Sequence, residues 1–83
     1  MSNGNGDVRM LAEFLAKNLV EAPDAVYVDE EEHGGGTELR LEVAEEDMGR
    51  VIGRSGRTAR CLRTIISAAG ERAGKRYTLE ILD

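Results

Sequence analysis

Val51-Ile52-Gly53-Arg54-Ser55-Gly56-Arg57 decides the reading of this chain. Two glycines flank two polar residues, with an aliphatic pair in front and a long helical pattern behind. Glycine tolerates positive φ and has no Cβ to keep a neighbouring backbone away. A helix that starts directly after such a turn presents unpaired N–H groups, which makes an anion site by geometry and by dipole. Arg54 and Arg57 place positive charge beside it, and Ser55 can donate a hydrogen bond or cap the helix. Two glycines at this spacing are common in helical corners, so the surroundings carry the weight.

Those surroundings are basic. Arg50, Arg54, Arg57, Arg60 and Arg63 stand within 14 residues with no acid among them. The rest of the chain is the opposite. Residues 1–49 hold 3 basic and 13 acidic side chains, whereas residues 50–83 hold 8 and 3, giving the net charge of −5. Bulk charge of that sign repels a polyanion, so any nucleic-acid binding must come from a local, structured patch.

Working outward, Arg57 to Ala73 reads as a helix with Ala59, Leu62, Ile65, Ile66, Ala69 and Ala73 inward and Gly74 as its C-cap. Cys61 reads as a small buried hydrophobe on it. Tyr77, Leu79 and Ile81 alternate with polar neighbours in a last strand. Upstream, Ala44–Ile52 reads as a short helix with Glu45, Glu46 and Asp47 in its first turn, where the dipole favours acids. Met48, Val51 and Ile52 form its apolar face.

Before that, residues 37–43 alternate as a half-buried strand with Leu39, Leu41 and Val43 on one face. Glu30–Gly36 reads as a solvated loop that includes His33, and residues 25–29 as a strand. A first helix runs from an Asp7 N-cap to Pro23, with Val8, Leu11, Leu15 and Leu19 inward and Phe14 widening the stripe. Residues 1–6 read as a disordered tip ahead of a single domain over 7–83. The order α-β-β-α-α-β predicts an α+β fold: a three-stranded mixed sheet with three helices on one face, its third strand parallel to an earlier one.

At 83 residues the chain makes one marginally stable domain. It has no apolar run of membrane length and no secretory signal, so the expected address is the cytoplasm, without a membrane partner. One cysteine and one histidine leave no material for a disulfide or a zinc cluster. No metal or other cofactor is expected. A nucleophile–base–orienter set is missing, as are the G-x-x-x-x-G-K-[ST] and G-x-G-x-x-G spacings, so the chain does not read as an enzyme.

Taken together, V-I-G-R-S-G-R set in α-β-β-α-α-β order resembles a KH domain of the type II arrangement, over roughly Val8 to Asp83. A KH domain standing alone at this length is similar to the small bacterial KhpA-like family. That resemblance implies single-stranded RNA binding, with the loop clamping about four nucleotides. It also implies RNA-chaperone or post-transcriptional regulatory activity and self-pairing, or pairing with a larger KhpB/Jag-type KH protein. In some bacteria it implies a link to cell-envelope biogenesis and cell length.

Carried over by position, Gly53, Arg54, Ser55 and Gly56 would face phosphate, with Arg50, Arg57 and Arg60 around them. Val51 and Ile52 would wall the groove on one side, and the strand Leu39–Val43, with Leu41 at its centre, would supply the other. Ala59 and Leu62 would lie at the start of the second groove helix. The family's variable loop maps to Glu30–Gly36, where three acids depart from expectation and predict a short site of modest affinity. The alternative is a protein-interaction or dimerisation module with an idle groove. The leucines of the first helix, with Phe14, Val20 and Tyr27, favour association.

Overall fold

The computed structural model describes residues 5–83, with side chains from Val8 onward. Helix α1 (Asn5–Leu19) leads into strand β1 (Tyr27–His33) and strand β2 (Gly36–Glu42). Helix α2 (Met48–Ile52), helix α3 (Arg57–Arg72) and strand β3 (Arg76–Ile81) follow. The sheet order is β1-β2-β3, with β1 antiparallel and β3 parallel to the central β2. This is the expected mixed α+β architecture. Of the anticipated N-terminal tip, residues 1–4 lie outside the described residues. Helix α1 begins at Asn5, so Asp7 belongs to its first turn and not to its cap.

One face of the sheet builds the core. Val28, Leu39, Leu41, Tyr77 and Leu79 pack with Val8, Ala12 and Ala16 of α1, Val51 of α2 and Leu62 and Ile66 of α3. Each large aliphatic buried there stabilises the fold by about 1.5–3 kcal/mol. The buried stripe of α1 is Val8-Ala12-Ala16, not the leucines. Alanine lets the helix lie close to the sheet, which rotates Leu11 and Leu15 to the margin and leaves Met10 and Phe14 59% and 64% exposed. In the same way α3 buries Ala59, Leu62, Ile66 and Gly70, while Cys61 is exposed and Ile65 41% exposed.

The hairpin differs most from expectation. Glu30, Glu31, Glu32 and His33 are strand residues, paired with Leu39, Glu38, Thr37 and Gly36. The connection is only Gly34-Gly35, both at positive φ, as a two-residue hairpin turn requires. Acid-rich sequence can hold a strand here because Arg40, across from Asp29, also reaches Glu31 and Glu38 on the uncovered sheet face. His33 Nε2 donates a 3.1 Å hydrogen bond to Glu38 Oε1.

The α2 segment also departs from a plain helix. Glu45–Asp47 forms a 3-10 turn ahead of it. Asp47 is 1% exposed. Its carboxylate accepts from the backbone N–H groups of Glu21 and Ala22 and from Arg50 Nε, each at 3.1 Å. The acid ties the end of α1 to the start of α2, a role the dipole argument does not supply.

Candidate nucleic-acid interface

Two glycines and a serine shape the loop between α2 and α3. Gly53 closes α2 by donating to Gly49 O at 2.9 Å, then turns away at φ 77, ψ 172. That region of backbone space is essentially restricted to glycine. A Cβ there would also lie 2.3 Å from Thr58 Oγ1 and 2.8 Å from Thr58 N. Ser55 (φ 56) and Gly56 (φ 74) follow in the left-handed region, and Gly56 N–H returns to Gly53 O at 3.1 Å. Around Gly56 there is nothing within 4 Å of the missing Cβ. Gly53 is therefore glycine for the protein's own packing, and Gly56 offers the open surface.

Helix α3 starts at Arg57 with no side-chain cap on its first turn. Ser55 does not cap it; its side chain is exposed on the loop. Arg57 N–H donates to Arg54 O, and no side chain caps the rest of the turn.

The five-arginine cluster divides in two. Arg50 is engaged with Asp47 and with Glu21, each at 3.1 Å. Arg63 reaches along β3, its Nε 3.4 Å from Leu79 O. Arg54, Arg57 and Arg60 are exposed and pair with no other described residue. Free positive charge thus sits at the loop and the first turns of α3.

A shallow groove opens from the loop's leading edge. Its floor is Ile52 and Met48 of α2, Val43 just past β2 and Leu82 just past β3. Its rim is Glu42, Glu45 and Asp83. Ile52 lines this groove. Val51 is fully buried behind it, and Leu41 is 1% exposed in the central strand, so neither side chain can meet a ligand in the groove. Ala59 and Leu62 are likewise core residues. Val43, at the end of the strand expected to supply the opposite side, lines the groove, whereas sequence reasoning missed Leu82 and the acidic rim. Leu82 carried a signal, because it breaks the polar alternation of β3 at the strand's end.

Elsewhere, Glu31, His33 and Glu38 bring three metal-capable atoms within 4.8 Å of one another. Arg40 already pairs with both carboxylates, so the group is a salt-bridged corner of the sheet. Among the described residues no helix is long and apolar enough to cross a membrane.

An α-β-β-α-α-β domain with a G-x-x-G loop entering an uncapped helix is a type II KH domain. The sequence pattern of the family described as "KhpA/KhpB, KH domain" matches residues 9–81. The chain is 45% identical over 75 residues to RNA-binding protein KhpA of Clostridium acetobutylicum, covering 90% of this chain and all of that one. It is also 45% identical over 73 residues to the proteins of that name from Treponema pallidum and Aquifex aeolicus, covering 88% of this chain and 91% and 92% of theirs. The chain belongs to the KhpA/KhpB KH-domain family, a class of binding domains and not of enzymes.

Proposed function

We propose that the protein binds single-stranded RNA, with a phosphate seated on Gly56 and the first turn of α3 and the adjoining bases in the Ile52–Val43 groove. The observation that carries this is the coincidence of three unpaired arginines with an uncapped helix start and an open glycine face. In a protein of net charge −5, three arginines left without acids beside an uncapped helix start favour an anionic ligand. Arg54, Ser55, Gly56, Arg57 and Arg60 contact the backbone, and Gly53 fixes the turn. Arg50 acts by holding α2 through Asp47. The curated relatives carry the name of RNA-binding proteins, which supports the same reading.

Family resemblance extends it to a cytoplasmic RNA chaperone or post-transcriptional regulator, working with a larger KhpB/Jag-type partner in cell-envelope and cell-length control. Association is supported by the exposed Met10 and Phe14, one turn apart on α1, and by Tyr27 at 60% exposure. This surface also favours the second reading, an association module with an idle groove.

Competition between RNAs separates the two. A single-stranded octamer should compete better than a duplex of equal length, because a shallow apolar groove does not admit paired bases. With about two to four phosphates neutralised, the logarithm of affinity should fall against the logarithm of salt with a slope of about −1.4 to −2.8. Preference for duplex, or a slope several-fold steeper, places binding on another surface. No binding of either form leaves the association module.

A further inference from the structure

A second cleft opens at the far end of α3 from the loop, about 24 Å away along a helix of 16 residues. Its volume is about 840 Å³, within the roughly 300–1,000 Å³ of small-molecule sites. Helix α3 contributes Glu71, strand β1 contributes Glu32, and Lys75 and Arg76 come from the entry to β3. Thr37 of β2 lines it from the sheet. Thr37 is only 4% exposed, and its hydroxyl pairs with no other described residue. Buried hydroxyls normally have a partner, and one left without costs stability. Valine has nearly the same shape and would serve the fold better, so the hydroxyl points to a ligand that enters the cleft.

The charges around it are balanced. Lys75 Nζ lies 3.8 Å from Glu32 Oε2. Glu71 and Arg76 remain, both exposed and paired with no other described residue. One unpaired acid and one unpaired base on the same cleft fit a ligand that carries both signs. We propose that this cleft binds a small zwitterion of the amino-acid or dipeptide class. Its carboxylate meets the Arg76 guanidinium, whose planar fork matches a carboxylate. Its ammonium meets Glu71, and a further polar group takes the Thr37 hydroxyl, which can donate or accept. A ligand of one sign alone is repelled by Arg76 or by Glu71. The site is separate from the loop and stands whether or not the loop binds RNA.

Backbone amide NMR spectra of the full chain, titrated with a mixture of free amino acids and dipeptides, test this. Inorganic phosphate and 1,4-diaminobutane serve as controls of a single sign. The mixture should shift Gly35, Gly36, Ser67 and Gly74 and leave Gly53 and Gly56 unmoved, and neither control should do so. For the component that gives the largest shifts, E71Q and R76Q should each weaken binding about tenfold or more, the range of a hydrogen bond to a charged group. Thr37→Val separates binding from packing. It should weaken binding about three- to tenfold and yet raise the melting temperature of the free protein by at least about 4 °C, because it removes an unpaired buried hydroxyl. No shift with the mixture, shifts confined to the loop, or equal shifts with either control alone would overturn the proposal. A Thr37→Val protein that melts at or below the parent temperature would overturn it too.

Discussion

Gly53 and Gly56 look equivalent in the sequence, yet the chain requires them for different reasons. Gly53 lies against Thr58 in a backbone region nearly closed to other residues, whereas Gly56 faces open space in the left-handed region. Gly53→Ala should cost about 3 kcal/mol or more, combining strain with a forced shift of Thr58. Gly56→Ala should cost about 1 kcal/mol, the left-handed penalty alone. Urea denaturation of the two variants checks the order, and equal losses would contradict it. The G-x-x-G spacing was legible in the sequence, but this division of labour was not, because it depends on where Thr58 folds back. The same limit applies to the arginines. Five read as one cluster until the partners of Arg50 and Arg63 come from distant segments, Glu21 and Leu79.

At the scale of elements, periodicity located the helices and the two hydrophobic strands, although in α1 the buried stripe is Val8-Ala12-Ala16 and not the leucines. It failed where stability comes from across the sheet. The run Glu30-Glu31-Glu32 has the composition of a loop, and it is a strand because it pairs with β2, with Arg40 and Lys75 drawing Glu31 and Glu32. The open sheet face keeps one internal conflict. A hydrogen bond shared with Glu38 holds the Glu80 carboxyl above its ordinary range, and repulsion from Glu38 and burial add to this, against Arg40. An acid with a raised folded-state pKa stabilises most below its unfolded value and loses that contribution as pH rises through the folded value. Glu80→Gln should therefore raise the denaturation midpoint at neutral pH, with the gain disappearing as pH falls through the carboxylate range. A gain that grew on acidification would contradict the shared hydrogen bond.

Helix α3 offers a comparison of the same kind. Gly70 is buried against Tyr77, and a Cβ there would lie 2.7 Å from the ring and 2.9 Å from Lys75 O. Gly49 in α2 has open space around it. Alanine gains up to about 1 kcal/mol of helix propensity at either site. Gly49→Ala should keep that gain and stabilise, and Gly70→Ala should be destabilised by about 1–3 kcal/mol through overpacking. Thermal melts of the two variants should move in opposite directions.

For the whole molecule, the separation of charge matters more than its sum. Acids fill the hairpin and the uncovered sheet face, and Arg54, Arg57 and Arg60 stand unpaired together at the start of α3, with Arg72 and Arg76 unpaired beyond its far end. An anion is repelled by most of this acidic surface and drawn to the arginines around the loop, which predicts a short footprint and modest affinity. The charge imbalance was visible in the sequence, as was the loop that focuses it. The acidic rim of the groove was not, because Glu42, Glu45 and Asp83 are brought together only by the parallel pairing of β3 with β2. The central claim is that the loop is the phosphate site, and replacing Arg54 and Ser55 together by aspartate tests it most directly. Both side chains are exposed, so circular dichroism should show an unchanged fold. Binding to a single-stranded RNA octamer should be abolished by like charge at the phosphate position. A folded double variant that bound the octamer as tightly as the parent would contradict the assignment of the loop.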